Sequence, residues 1–133
     1  AVGEGMVKYF LSEGANVAVP YRAGGKAESL KNYLTAQEQA SLTLFKADVS
    51  DAQEAQGLKE QVLAKFGKVD IAVASLGGWY QGYDMADWPH ELWLTLMHNN
   101  LNSHFSFARA FLPVLKAQKD GLYININGGA QDM

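Results

Sequence analysis

The chain has 133 residues, of which 48% are hydrophobic and 19% charged, and no cysteine, which predicts one globular domain over residues 1–133 and excludes disulfides, thiolate metal sites and cysteine nucleophiles. Its 11 basic and 14 acidic residues give a net charge of −3, which offers no basic surface for nucleic acid. No apolar run reaches the roughly 18 residues of a membrane span, and the amino end has no signal-peptide pattern, so we expect a cytoplasmic protein without nucleic-acid or membrane partners.

Amphipathic segments alternate with short apolar runs along the chain. Apolar residues at helical spacing predict helices over 4–12, 26–34, 51–66 and 88–116. Gly14 and Gly67 end the first and third helices, Ser50 or Asp51 caps the third, and Asp87 with Pro89 begins the longest. Short β-branched runs predict strands near 16–20, 42–47, 70–75 and 122–127. Strands joined by crossover helices indicate the α/β class with a doubly wound parallel sheet.

The longest predicted helix, over 88–116, has apolar residues around much of its circumference. A helix of this kind is buried on more than one side. The sheet provides one contact, and a partner chain is a candidate for the other.

Two places in the first part of the chain indicate dinucleotide binding, and each has a plainer alternative. Gly3-Glu4-Gly5 opens the first helix, where free N–H groups and glycines suit a pyrophosphate, although a flexible chain end explains the glycines equally well. Tyr21-Arg22 ends the next strand, where a dinucleotide fold selects its ribose. An arginine there pairs with the 2′-phosphate of NADP, whereas an acid would favour NAD; alone, Arg22 would be a surface arginine near a turn.

Two more segments follow predicted strands. Asp48-Val49 comes after the second strand, near the adenine of a bound dinucleotide, or else forms part of a helix-capping turn. Ser75 and Gly77 follow the third strand, where small residues let the backbone approach a nicotinamide ribose; the alternative is an ordinary strand-to-loop turn. Doubly wound sheets bind ligands beyond the carboxyl ends of their strands, which is where both segments are predicted to lie.

In this order and spacing the segments resemble the short-chain dehydrogenase/reductase family along essentially the whole chain. Gly3-Glu4-Gly5 resembles the last two glycines of its T-G-x-x-x-G-x-G fingerprint, and Asp48-Val49 resembles its D-V pair. Further segments that resemble family motifs are residues 70–77 (D-I-L-V-N-N-A-G), 99–101 (V-N-L), 112–115 (L-P-x-M) and 121–126 (G-R-I-V-N-I). The resemblance implies a Rossmann-like NAD(P)-binding domain, with NADP favoured over NAD by Arg22, and a small carbonyl or alcohol as substrate.

The resemblance also implies that the sheet is incomplete. The Thr and first Gly of the fingerprint, with the family's first and central strand, would lie before Ala1, and the catalytic Tyr-x-x-x-Lys would lie beyond Met133. We therefore expect two pairs of neighbouring parallel strands, the first two and the last two, separated by a gap. The family's long helix commonly faces a partner subunit, so we also expect a homo-oligomer through residues 88–116.

Of the family's catalytic tetrad, the resemblance leaves Asn100 in this chain, with the inferred role of supporting a water that relays protons to the lysine. A polar helix residue that bonds a nearby backbone carbonyl is the plainer interpretation. The serine position falls on Gly128, which has no hydroxyl, and Ala74 and Ser75 replace the two asparagines of N-N-A-G.

These departures leave three hypotheses about function. In the first, the parent protein is an NAD(P)-dependent oxidoreductase and this chain itself is inactive. In the second, which Gly128 favours, the protein is a non-catalytic dinucleotide-binding or scaffold member of the family that has lost its serine. In the third, two copies of the chain associate and replace the missing strand.

Two groups of residues remain outside these motifs. The histidines of the long helix lack the i, i+4 spacing of a metal pair, so we interpret them as ordinary polar positions and expect no metal: His90, His98 and His104. Four aromatic residues crowd the loop after the third strand: Trp79, Tyr80, Tyr83 and Trp88. They could wall a substrate pocket, or they could cover the sheet edge or an interface.

Overall fold

The computed structural model describes residues 2–80 and 82–126, apart from the side chains of residues 24–26. Contacts within the chain divide it into two compact units, Ala1–Asp48 (unit 1) and Val49–Met133 (unit 2). The single domain expected over residues 1–133 stays a prediction. Gly128, the position matched to the family's serine, lies outside the described residues.

Unit 1 contains a pair of parallel strands with helices before, between and beside them. Its described elements are α1 (Val2–Ser12), β1 (Val17–Tyr21), α2 (Gly24–Lys31), α3 (Ala36–Ala40) and β2 (Leu42–Lys46). The two strands pair in parallel, with Val17 opposite Leu42 and Tyr21 opposite Lys46. The unit is held together by a small apolar core, formed by Leu11, Leu30 and Leu34 with Val7, Val17 and Leu42 packed against them.

The segment between the strands of unit 1 differs from the prediction of one helix over 26–34. Helix α2 begins two residues earlier and ends at Lys31, and the short helix α3 follows it. Thr35 begins α3 with a capping box: its hydroxyl accepts the Glu38 N–H at 3.2 Å, and its own N–H donates to the Glu38 carboxylate at 2.7 Å. That backbone hydrogen bond lowers the pKa of the Glu38 carboxyl, so the box loses strength when acid protonates it.

Unit 2 contains a second pair of parallel strands, connected by a long helical run. Its described elements are α4 (Ala52–Phe66), β3 (Ile71–Ala74), a 3₁₀ turn (Met85–Asp87), α5 (His90–Met97), a π-helical segment (His98–Asn102), α6 (Ser103–Gln118) and β4 (Leu122–Asn125). The strands pair from Ile71 opposite Leu122 to Ala74 opposite Asn125. Asp51 caps α4 by accepting two backbone N–H groups, and Gly67, with φ of +75°, ends it.

The helix predicted over 88–116 forms three consecutive helical segments from His90 to Gln118. Asp87 lies in the preceding 3₁₀ turn, and Pro89 takes the N-cap position, so the predicted start at Asp87 was wrong. The π-helical segment inserts an extra residue into the helical turn at the centre of the run. Pro113, expected near the far end, lies inside α6.

The predicted parallel pairing is confirmed. The structure has two separate two-stranded sheets, β1 with β2 and β3 with β4, and no strand in the described part of the chain joins them. In unit 2, α6 packs on α4 and on β3, which buries Ala55, Leu58, Val62, Ala72, Phe107, Ala110 and Phe111. Over residues 2–80 and 82–126, the helices all lack the combination of length and apolar character that crossing a membrane requires.

We predict that Gly121→Ala destabilises the chain. Gly121 has φ of +121°, and an added Cβ would lie 2.6 Å from Leu115 Cδ2 and 3.0 Å from the Asp70 carbonyl oxygen. We expect the free energy of unfolding in urea to fall by about 2–3 kcal/mol.

Gly57→Ala is the matched control for this measurement. Gly57 lies within α4, and an added Cβ there has no atom within 4 Å. Alanine should leave stability unchanged or raise it by about 0.5–1 kcal/mol. Equal losses in the two variants would contradict the strain argument.

Candidate functional site

The carboxyl ends of β1 and β2 lie side by side in unit 1, because the two strands are parallel. The Ala47 N–H donates to the Tyr21 carbonyl at 3.0 Å, which continues the ladder past the last paired residues. Just beyond, Arg22 Nη1 lies 3.9 Å from Asp48 Oδ2. The structure therefore brings together two residues that the sequence analysis assigned separately to a dinucleotide site.

The ion pair between Arg22 and Asp48 is weak. The arginine side chain is 60% exposed and the aspartate side chain 32% exposed, so water screens the charges. Pairs of this kind contribute from nothing to about 1 kcal/mol. The guanidinium is thus oriented by Asp48 at little energetic cost to an incoming anion that binds it more strongly.

The first turn of α1 carries Gly3, Glu4 and Gly5, since the helix begins at Val2. Backbone N–H groups in the first turn of a helix lack intrahelical acceptors and carry partial positive charge. An added Cβ at Gly5 would meet no atom within 4 Å, so the space beside this turn is open. This start of α1 has the donors that the predicted pyrophosphate site requires, and binding there stays a prediction.

Asn100 in unit 2 holds the loop that follows β3. Its Oδ1 accepts the Gly78 N–H at 3.1 Å, and its Nδ2 donates to the Gly78 carbonyl at 3.0 Å and to the Leu96 carbonyl at 2.9 Å. Both ends of the side-chain amide are therefore engaged with backbone. These are the contacts of the plainer interpretation of Asn100, and a role in proton relay stays a prediction.

The loop comes close to Asn100 because Gly77 has no side chain. Gly77 has φ of +122°, and a Cβ there would overlap Asn100 Oδ1. Ser75, two residues earlier, is exposed, whereas the Val49 side chain is buried, so a ligand would reach Val49 through its backbone. Ser75, Gly77 and Val49 keep their predicted roles as predictions.

Two of the histidines have specific partners that the sequence analysis missed. His98 Nε2 lies 2.6 Å from the hydroxyl of the buried Ser50, and His104 Nε2 lies 3.1 Å from the Leu76 carbonyl oxygen. These partners are 48 and 28 residues away in the chain, so no local pattern could have revealed them. The structure shows no cluster of three or more His, Asp or Glu that could hold a metal among its described residues.

The aromatic loop after β3 lies mostly at the surface. Trp79 is 65% exposed and Tyr83 is 52% exposed. The indole N–H of Trp88 is buried and meets no acceptor in the described part of the chain. A substrate wall and an interface both remain open for these residues.

Comparison with known proteins identifies the family. The family model for short chain dehydrogenases matches residues 1–133. The chain belongs to the short-chain dehydrogenase/reductase family. The resemblance inferred from the motifs is therefore confirmed, and so is the expected α/β fold with an incomplete parallel sheet.

Individual relatives agree with this assignment. The short chain dehydrogenase/reductase dpmpG of Macrophomina phaseolina is 33% identical over 131 residues, which cover 97% of this chain and 75% of that protein. The crystal structure of serine dehydrogenase from Escherichia coli has a TM-score of 0.86 at 22% identity and covers 100% of this chain and 60% of its own. The structure of ElxO with NADP bound has a TM-score of 0.83 at 16% identity, over 94% of this chain and 51% of its own. The chain spans about half the length of several other curated relatives it matches.

We predict that Asn100→Asp weakens the attachment of the loop after β3. The substitution keeps the acceptor for the Gly78 N–H but removes both donated N–H groups, and it places a carboxylate against the Gly78 and Leu96 carbonyl oxygens. We expect the free energy of unfolding to fall by about 1–3 kcal/mol in a urea titration at neutral pH.

Asn102→Asp provides the charge-matched control, since Asn102 is an exposed residue of the same π-helical segment. It should change stability by less than about 0.5 kcal/mol. If both variants lose the same amount, the loss comes from the added charge and not from the Asn100 hydrogen bonds.

Proposed function

We propose that the protein containing this chain is an NAD(P)-dependent oxidoreductase that transfers a hydride between a nicotinamide cofactor and a small carbonyl or alcohol substrate. The observation that carries the proposal is the match of the family model along all 133 residues. The positions of the candidate residues support it, because they lie at the start of α1 and at the carboxyl ends of β1, β2 and β3. Ligands of doubly wound sheets bind at such positions.

The described residues fit a dinucleotide. The open first turn of α1 would hold the pyrophosphate, the exposed Arg22 a 2′-phosphate, and Asp48 with the Val49 backbone the adenine. Ser75 and Gly77, both exposed, would contact the nicotinamide ribose. The nicotinamide ring, when bound, supplies the hydride acceptor or donor. The role of this chain's own residues would be to bind and orient that cofactor.

The cofactor we propose is NADP in preference to NAD. Arg22 offers a guanidinium for the 2′-phosphate, and the NADP bound to ElxO is consistent with such use of the fold. Asp48 opposes this preference, because its carboxylate competes for Arg22 and repels a phosphate. The balance between the two side chains would set how strongly NADP is favoured.

We predict that Arg22→Ala in the parent protein weakens NADP binding about tenfold to hundredfold, because a charged bidentate contact is lost. NAD binding should change little. Asp48→Asn should tighten NADP binding by about 2- to 5-fold, since a screened ion pair of this kind contributes little. Fluorescence titration with both cofactors measures these dissociation constants.

Arg109→Ala, at an exposed arginine of α6, is the control for charge removal alone. It should leave the NADP to NAD ratio at the wild-type value. An unchanged ratio in Arg22→Ala as well would remove Arg22 from the site.

The 133-residue chain itself should be inactive. It contains no Tyr-x-x-x-Lys pattern, and Asn100 alone has neither an acidic proton to give nor a base to accept one. We predict no turnover of a carbonyl substrate with NADPH by the purified chain, followed at the absorbance of the reduced nicotinamide. Measurable reduction would show that the catalytic groups have been misplaced.

A non-catalytic dinucleotide-binding or scaffold protein is the second candidate function. Glycine at position 128, where the family has serine, is the observation that favours it. Restoring the hydroxyl with Gly128→Ser in the parent protein distinguishes the two. An oxidoreductase would show turnover before the change or gain it afterwards, whereas a binding protein would bind NADPH and stay inactive in both forms.

Association through the helical run from α5 to α6 is part of the proposal. Four exposed apolar residues follow one face of this run at spacings of seven and four, with exposures of 46–63%: Leu94, Leu101, Phe105 and Leu112. Burying such a stripe against a second copy would remove apolar surface from water. A cytoplasmic location and the absence of nucleic-acid and membrane partners stay predictions.

We predict that Phe105→Glu shifts the protein toward monomer in sedimentation velocity, because a charge in the centre of a buried stripe is strongly unfavourable. Tyr33→Glu is the control, since Tyr33 is 73% exposed but belongs to unit 1 and lies outside the stripe. The control should sediment like the wild type. The same sedimentation profile for all three proteins would exclude this face as the interface.

A further inference from the structure

The backbone beyond β3 is fixed at every second residue. The Ala74 carbonyl accepts the Ile126 N–H at 2.9 Å, which extends the ladder with β4. The Leu76 carbonyl is bonded by His104 at 3.1 Å, and the Gly78 carbonyl by Asn100 at 3.0 Å. Two side chains of the helical run thus continue a series of hydrogen bonds that a strand began.

The residues between these fixed positions are Ser75 and Gly77. Both are exposed, and neither takes part in the three bonds. In extended backbone, consecutive residues direct their polar groups to opposite sides. Fixing residues 74, 76 and 78 toward the protein therefore leaves Ser75 and Gly77 directed to the other side.

His104 serves this series in a defined chemical form. A carbonyl oxygen can only accept, so Nε2 carries the proton and donates it to Leu76. Nδ1 is buried and has no hydrogen-bond partner in the described part of the chain. Burying an unpaired polar atom is unfavourable, and leucine would fill the same space without it. Packing therefore does not account for a histidine here, whereas the N–H given to Leu76 does.

We infer that His104 is a positioning residue for dinucleotide binding, which holds the Leu76 carbonyl and thereby presents Ser75 and Gly77 to the nicotinamide ribose. The inference rests on the proposed function, because it assigns a task to the loop that would contact the cofactor. It adds to that function a residue outside every motif of the sequence analysis. Since His104 touches neither the cofactor nor the substrate, it acts through the loop.

Three variants of the parent protein test this assignment. Glutamine at position 104 places a side-chain N–H four bonds from Cα, as histidine places Nε2. His104→Leu keeps an apolar volume and removes the donor, and His104→Asn keeps an amide that is one bond too short. Thermal unfolding first establishes that each variant is folded; if His104→Leu is not, His104→Asn takes its place.

We expect His104→Leu and His104→Asn to weaken NADPH binding about 5- to 10-fold, the loss of one hydrogen bond, and His104→Gln to remain within about twofold of the wild type. Hydrogen exchange of the residue 75–79 amides, measured without cofactor, should become about tenfold faster in the first two variants and not in the third. A purely structural role would lower the melting temperature without this pattern of loss and rescue.

The outcomes separate the inference from the function on which it rests. If the wild type binds NADPH and His104→Leu binds it equally well, the inference is overturned and the proposed function stands. If the wild type binds neither NADPH nor NADH, the proposed function is wrong, and with it the presentation of the loop to a cofactor. Equal exchange rates in the wild type and His104→Leu would overturn the anchoring of Leu76 in either case.

Discussion

Strand β3 is held at both of its ends by side-chain amides from the helical run that follows it. Gln118, the last residue of α6, donates to the Val69 carbonyl at 2.7 Å and accepts the Val69 N–H at 3.1 Å, and Asn100 makes the same two kinds of bond with Gly78. Backbone polar groups that leave a sheet still need partners. Because both clamps belong to one run of helix, the crossover between β3 and β4 fixes the strand's length, its loop and the direction of the helix together. Glycine at 77 and at 121 is what allows the backbone to come this close.

Local chemistry accounts for most of the fold that the sequence predicts. Parallel pairing follows from apolar runs separated by helices, and the stop at Gly67 follows from a left-handed residue after an amphipathic segment. Helix α3 was missed although Thr35 and Glu38 have the spacing of a capping box, so the signal was present and unused. The π-helical segment has no such signal. The Ser103 hydroxyl donates to the Asn99 carbonyl and the Asn100 side chain to that of Leu96, so the helix is altered by side chains whose roles depend on tertiary contacts.

The same distinction separates the predictable and unpredictable parts of the candidate site. Arg22 and Asp48 follow paired parallel strands, so their proximity is a consequence of register and could be expected from the sequence. The partners of Asn100 and His104 lie 22 and 28 residues away along the chain. Nothing in an isolated helix indicates which of its polar residues will meet a loop. Those contacts depend on how the long helical run lies on β3, which is decided by the buried Phe107, Ala110 and Phe111 rather than by the polar residues themselves.

The two units prepare their parts of the candidate site by different physical means. In unit 1 the decisive groups are exposed charges, Arg22 and Asp48, whose mutual attraction is weak and screened. Charges of this kind discriminate between ligands that differ in charge, and exchanging them alters cofactor choice with little effect on folding. In unit 2 the decisive groups are neutral amides, an imidazole and a glycine that hold backbone in one conformation. Preorganised backbone lowers the ordering cost for any dinucleotide and does not distinguish one from another. Cofactor preference and cofactor affinity would therefore be separable properties of this chain, one carried by charge in unit 1 and the other by hydrogen-bonded geometry in unit 2.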